Sequence, residues 1–97
     1  MTETAAKIDR PGIDNIDPEA AKGGQKVAVY GKHLGGVTKI TFTDRDSHAK
    51  DATFTVKSND ELEVVVPVGL NAGPATVTAT NKSGASKPPY DFTILPG

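Results

Sequence analysis

Cysteine and tryptophan are missing from this 97-residue chain, and its aromatic residues are two tyrosines and three phenylalanines. Without cysteine there is no thiol nucleophile, no thiolate zinc site and no disulfide staple, and a disulfide-free chain fits a reducing compartment. With so few rings, the core must come mainly from Val, Ile, Leu and Ala. An excess of one charge is missing too, with 11 Lys and Arg against 12 Asp and Glu. No global field then draws nucleic acid or an acidic membrane surface. Long apolar runs are also lacking. The opening MTETAAKIDR carries no signal-peptide core, and no later segment has the length of apolar sequence that spans a bilayer. The expectation is a complete soluble protein starting at its own Met1, one domain with a modest core.

What is present is alternation. Residues 1–11 are small and polar apart from Ile8, and read as a flexible arm or one that orders against a partner. A single domain is expected over 12–97. IDNI, from Ile13 to Ile16, is a short first strand, closed by DPEAAKGG, whose Pro18, Gly23 and Gly24 prevent any long regular element. PEAAK has room for one turn of helix at most. QKVAVYG then sets Val27 and Val29 against Ala28 and Tyr30, and VTKITFT sets Thr38, Ile40 and Phe42 on one face. DATFTVK does the same with Ala52, Phe54 and Val56, ELEVVVP with Leu62, Val64 and Val66, and PATVTATN with Ala75, Val77 and Ala79. The last run, YDFTIL, gives Tyr90, Phe92 and Ile94. Period-two runs broken by frequent turns are the pattern of an all-β sandwich.

The motifs that hint at chemistry have plainer readings. VYGKHLGGV, Val29 to Val37, resembles a phosphate loop only in its glycines, because the segment after it alternates as a strand and supplies no helix N-terminus. It is expected to be a corner, with Gly31, Gly35 and Gly36 in backbone conformations closed to other residues. TDRDSHAKD offers Asp44, Asp46 and Asp51 as calcium ligands, yet lacks the glycine and terminal glutamate of an EF-hand loop. A charged, solvated connection between strands is the expected role. His33 and His48 fall in different loops with no third ligand to complete a metal site. Asp46, Ser47 and His48 are too close along one loop to form a hydrolytic triad. The lysines are scattered among acidic residues, unlike the basic, ring-lined tracks of single-strand binders.

Taken in order, IDNIDP, GGQKVAVYGKHLGG, VTKITF, SNDELEVVVP, GPATVTATN and the closing YDF resemble the IPT/TIG domain, the immunoglobulin-like fold shared by plexins and certain transcription factors. The likeness runs from Gly12 to about Leu95. It implies an immunoglobulin-like (IPT/TIG, E-set type) β-sandwich of about seven strands, with no enzymatic activity and no cofactor. DNA-binding members of that family use a partner domain and basic loops that this sequence does not match. Many members follow the third-strand Phe with Gly and a short turn. Here Phe42 leads into the longer charged loop, where a binding surface particular to this chain is expected.

Small free-standing domains of this kind resemble the immunoglobulin-like proteins that bacteriophages place on capsids or tails. The expected function is therefore a non-enzymatic decoration protein of the virion, docked on a major capsid or tail protein and presenting a surface to host glycans. The alternative is a carbohydrate-binding or spacer module of a larger secreted bacterial protein. Candidate partner-binding residues are Ile8 and Arg10 in the arm, Tyr30 and His33 near the first corner, and Asp44, Arg45, Asp46 and His48 in the charged loop. No catalytic, cofactor-binding or metal-binding residue is expected, and neither a nucleic acid nor a membrane is an expected partner.

Overall fold

The alternating runs become strands in the computed structural model, which describes residues 10–86 and 89–96. The strands are β1 (Gly12–Asp17), β2 (Ala20–Ala21), β3 (Lys26–Lys32), β4 (Lys39–Thr43), β5 (Ala49–Ser58), β6 (Glu61–Val65), β7 (Gly73–Asn81), β8 (Gly84–Ala85) and β9 (Tyr90–Ile94). Seven of them have five residues or more, as the immunoglobulin-like reading requires. None of the described residues is helical, and the expected turn of helix at PEAAK is replaced by β2. Its backbone is held by β9, with Thr93 N–H donating to Glu19 O at 3.0 Å and Leu95 N–H to Ala21 O at 2.9 Å.

Two sheets result. One has the order β1-β3-β6-β5, the other β5-β4-β7-β9-β2, with β8 on the margin beside β7. All neighbours are antiparallel except β2 and β9. The long strand β5 serves both sheets: its residues 49–52 pair with β4, and from Thr53 on it pairs with β6. On the opposite side the chain also changes sheets, passing from β1 to β2 through Pro18, whose peptide bond with Asp17 is cis. The register places Gly12 opposite Lys32 at one pole of the sandwich and Gly73 opposite Ile94 at the other.

Between the sheets lie the inward residues of the alternation. Ile16, Val29, Ile40, Phe42, Leu62, Val64, Val66, Val77 and Ala79 are fully buried, and Phe92 and Ile94 nearly so. Each fully buried aliphatic or phenyl side chain contributes about 1.5–3 kcal/mol by leaving water. Phe42 and Phe92 meet edge to face, with centroids 5.4 Å apart and planes at 88°, the arrangement their quadrupoles favour. One strand departs from its expected pattern. In β5 Phe54 is only half-buried and Val56 is 41% exposed, although both alternate as core positions. At the margin of its sheet, β5 has cover from one side only.

The first corner also differs in mechanism. Gly31, Gly35 and Gly36 are not among the residues at positive φ; the residue that adopts it there is His33, at +59°. Gly31 is needed for another reason: a Cβ on it would collide with the Gly12 carbonyl of β1. Gly36 has open space around it, and neither space nor φ demands glycine there. The corner itself is a turn, closed by Val37 N–H on Leu34 O at 3.2 Å and pinned by Leu34 N–H on Asn59 O at 2.8 Å.

Candidate functional site

The expected contact residues do not form one surface. Ile8 lies outside the described residues, as does the arm up to residue 9. Arg10 is exposed and passes beside Gly84 at the Gly12 pole, while Pro11 is already buried. His33 is exposed at that same pole. Tyr30, 38% exposed, stands on the outer face of the first sheet, opposite Glu61 of β6 and Asn15 of β1. The charged loop sits at the other end of β4, roughly 17 Å from the first corner at the usual rise per strand residue.

Within that loop the structure corrects the picture of a solvated connection. Asp44 is buried, and its carboxylate is an internal acceptor. Oδ1 receives the N–H groups of Asp46 and His48, each at 2.9 Å, and Oδ2 receives the Asn71 N–H at 2.9 Å. His48 Nδ1 lies 3.4 Å from Oδ2 at a ring that is 68% exposed. The Asn71 amide has the largest influence and draws the Asp44 carboxyl below its ordinary 3.8; burial opposes it, the His48 and Asp46 amides and the charge of His48 assist, and the result is about 2. Asn71 also donates from Nδ2 to Asp46 Oδ2 at 2.6 Å. Ser47 takes φ +68° to close the turn. Asp44 therefore ties the β4–β5 turn to the β6–β7 loop and has no oxygen facing outward for a partner. Arg45, Asp46 and His48 remain on the surface, Arg45 lying along Gly73. Asp51, on β5, accepts from the Thr41 hydroxyl at 3.2 Å. No cluster of three or more His, Asp or Glu side chains fit to hold a metal occurs among the described residues.

One concavity was not foreseen. It is a groove of about 570 Å³ lined by Gly12, Ile13, Asp14, Glu19, Pro89, Tyr90 and Asp91, where β1 of one sheet faces β9 of the other. Tyr90 spans this side of the sandwich. Its hydroxyl donates to Glu19 Oε2 at 3.0 Å, with Asn15 Oδ1 at 3.3 Å as a second acceptor, and it accepts the Ile16 N–H. Burial first, then the Glu19 contact and the charges of Glu19 and Asp91, push the phenol above its ordinary 10.0. The sequence signal for this site is the pair Tyr90 and Glu19, but they are 71 residues apart and nothing in local patterning joins them.

A smaller hollow of about 310 Å³ lies at the Ile94 pole among Pro67, Val68, Leu70, Ile94, Leu95 and Pro96. Val68 and Leu95 are exposed there. Neither concavity combines a nucleophile, a base and an enclosed reaction space, which the chemistry of catalysis requires together.

Comparison with known proteins gives a consistent picture. A family model described as the IPT/TIG domain matches residues 11–94. A γ-CGTase from Alkalophilic bacillus clarkii is 26% identical with a TM-score of 0.75, over 92% of this chain and 13% of that one. An auxiliary nutrient binding protein from Bacteroides thetaiotaomicron is 18% identical with a TM-score of 0.62, over 92% of this chain and 21% of that one. The Lin-41 filamin domain, 15% identical with a TM-score of 0.58, matches over 90% of this chain and 93% of its own. The last two likenesses speak for the fold alone. The chain thus spans about one eighth of the γ-CGTase and one fifth of the nutrient binding protein. No curated protein matches the chain.

Proposed function

Since the chain belongs to the IPT/TIG domain family, we propose that it is a non-enzymatic connecting module of a larger carbohydrate-handling protein, holding its neighbours apart. The observation that carries this reading is the match of nearly the whole chain to a small part of the γ-CGTase, a chain many times its length. The geometry agrees with it. Gly12 and Ile94, where the sandwich is entered and left, lie at opposite poles, so domains attached there are kept a module's length apart. A sugar platform fits less well: of the two tyrosines, Tyr30 stands alone on its face and Tyr90 is half-buried with its hydroxyl engaged.

Small-angle scattering on a head-to-tail fusion of two copies tests the reading. The expected maximum dimension is about twice that of one copy, as for compact units in series. A side-by-side dimension, or retardation of the single copy in a gel containing soluble starch, overturns the connecting role.

A second reading keeps the module and changes its anchor to an assembled phage capsid or tail protein, on the virion. The open strand edge beside β9 favours a protein over a sugar as the thing gripped. Co-sedimentation of the chain with phage particles from the source organism is the result expected under that reading. None of the relatives just described is a virion protein.

A further inference from the structure

We propose that the groove between β1 and β9 receives an extended, lysine- or arginine-bearing peptide segment of a partner protein, which adds as a short strand to the open edge of β9. The backbone leads to this first. Thr93 and Leu95 turn their N–H groups toward β2, at 3.0 and 2.9 Å from its carbonyls. By the alternation of a strand, Asp91 presents its N–H and C=O on that same edge. There β2 no longer reaches, since its register with β9 covers Thr93 and Ile94 only. Among the described residues no strand takes up the Asp91 edge. Across the groove, Asp14 is the extra residue of a bulge in β1, between Ile13 opposite Gly31 and Asn15 opposite Tyr30. An open edge inside a groove of about 570 Å³ has space for a further strand.

Charge selects the occupant. Among the described residues, the lining carries the carboxylates of Asp14, Glu19 and Asp91 and no lysine or arginine. The raised phenol of Tyr90 reflects the same negative surroundings, after burial. Alternate side chains of an added strand point to one face, so cations at every second position can meet these carboxylates. Nucleic acid would be repelled. The open edge is short, so ion pairs carry a large share of the affinity, and added salt weakens it. This surface is independent of the connecting role proposed above.

The test uses the whole chain and a capped heptapeptide that alternates lysine with threonine, followed by amide hydrogen exchange and chemical shifts in NMR. In the free protein the Asp91 N–H is expected to exchange readily, and saturating peptide to protect it. A matched peptide with glutamate for lysine, and the double variant Asp14→Asn with Asp91→Asn, are each expected to weaken binding at least tenfold. Both substituted residues are exposed, and an unchanged melting temperature verifies that the variant folds. An Asp91 N–H already protected in the free protein, equal binding of the glutamate peptide, or no binding at millimolar peptide overturns the proposal.

Discussion

At one end of β4 the chain turns over Leu34, a fully buried side chain, while Asn59 holds both neighbouring amides: its carbonyl takes the Leu34 N–H and its Oδ1 the Gly35 N–H at 3.0 Å. At the other end it turns over Asp44, whose side chain is as deeply enclosed but carries a charge and gathers three backbone amides. The first anchor needs only that water be kept out. The second needs the carboxylate to stay ionised, and it joins two loops where Leu34 and Asn59 join a corner to the β5–β6 turn. Apolar and ionic anchors can therefore serve one strand from its two ends, with only one of them answering to pH.

Removing the apolar anchor should have the largest effect. Leu34→Ala is expected to cost about 2–5 kcal/mol of unfolding free energy, the usual range for a large-to-small core change. Urea denaturation at neutral and acid pH should give nearly the same loss, since nothing in that anchor titrates. A loss confined to one pH would break the comparison.

Next comes Asp44→Asn, which keeps the shape, removes the charge and turns an N–H₂ toward amides that also donate. The variant is expected to be less stable than the parent at neutral pH. In the parent, the amides around Asp44 hold its carboxyl at about 2, below the ordinary 3.8. The stabilisation is therefore complete above about pH 4 and is lost as pH falls through about 2. The melting temperatures of parent and variant should converge over that window. A gap that stays constant down to pH 2 would show that shape, not charge, holds the loop.

The smallest effect belongs to Asn59→Ala. Asn59 is exposed and its side chain accepts one bond, so its loss should cost about 0.5–1 kcal/mol. The protection of Gly35 N–H against hydrogen exchange should fall with it. If the cost approaches that of Leu34→Ala, the corner is held by the Asn59 side chain and not by apolar burial.

The fold was legible where alternation and burial coincide. Ile40 with Phe42, Leu62 with Val64 and Val66, and Ala75 with Val77 and Ala79 all lie inside as their spacing implies. Val56 follows the same spacing and stays exposed. Alternation records which face a side chain takes, not whether the opposite sheet extends that far. Gly31 was found as a special position, yet its reason is the nearby Gly12 backbone, a partner from another strand. Asp44 looked like one more surface carboxylate because its key donor, Asn71, lies 27 residues on, in a loop with no shared motif. The β9 edge was invisible for a similar reason: it exists because β2 stops after two residues, and short parallel strands leave almost no mark on composition.

The strand β5 is hydrogen-bonded into both sheets, and the chain enters β1 at one pole and leaves β9 at the other. Tension applied between Gly12 and Ile94 runs along β1 and β9, so their ladders with β3 and β7 are sheared and many bonds resist together, instead of being peeled open one after another. On the β5 side the two sheets share a single continuous backbone, and no crack can open there without tearing that strand from a neighbour. On the other side the chain crosses once, from β1 to β2 through Pro18, and the Tyr90 hydroxyl adds a side-chain tie from β9 to Asn15 and Glu19. Under load the sandwich is closed by backbone on both sides, and Tyr90 is the clasp that fastens β9 to β1 beside the second crossing.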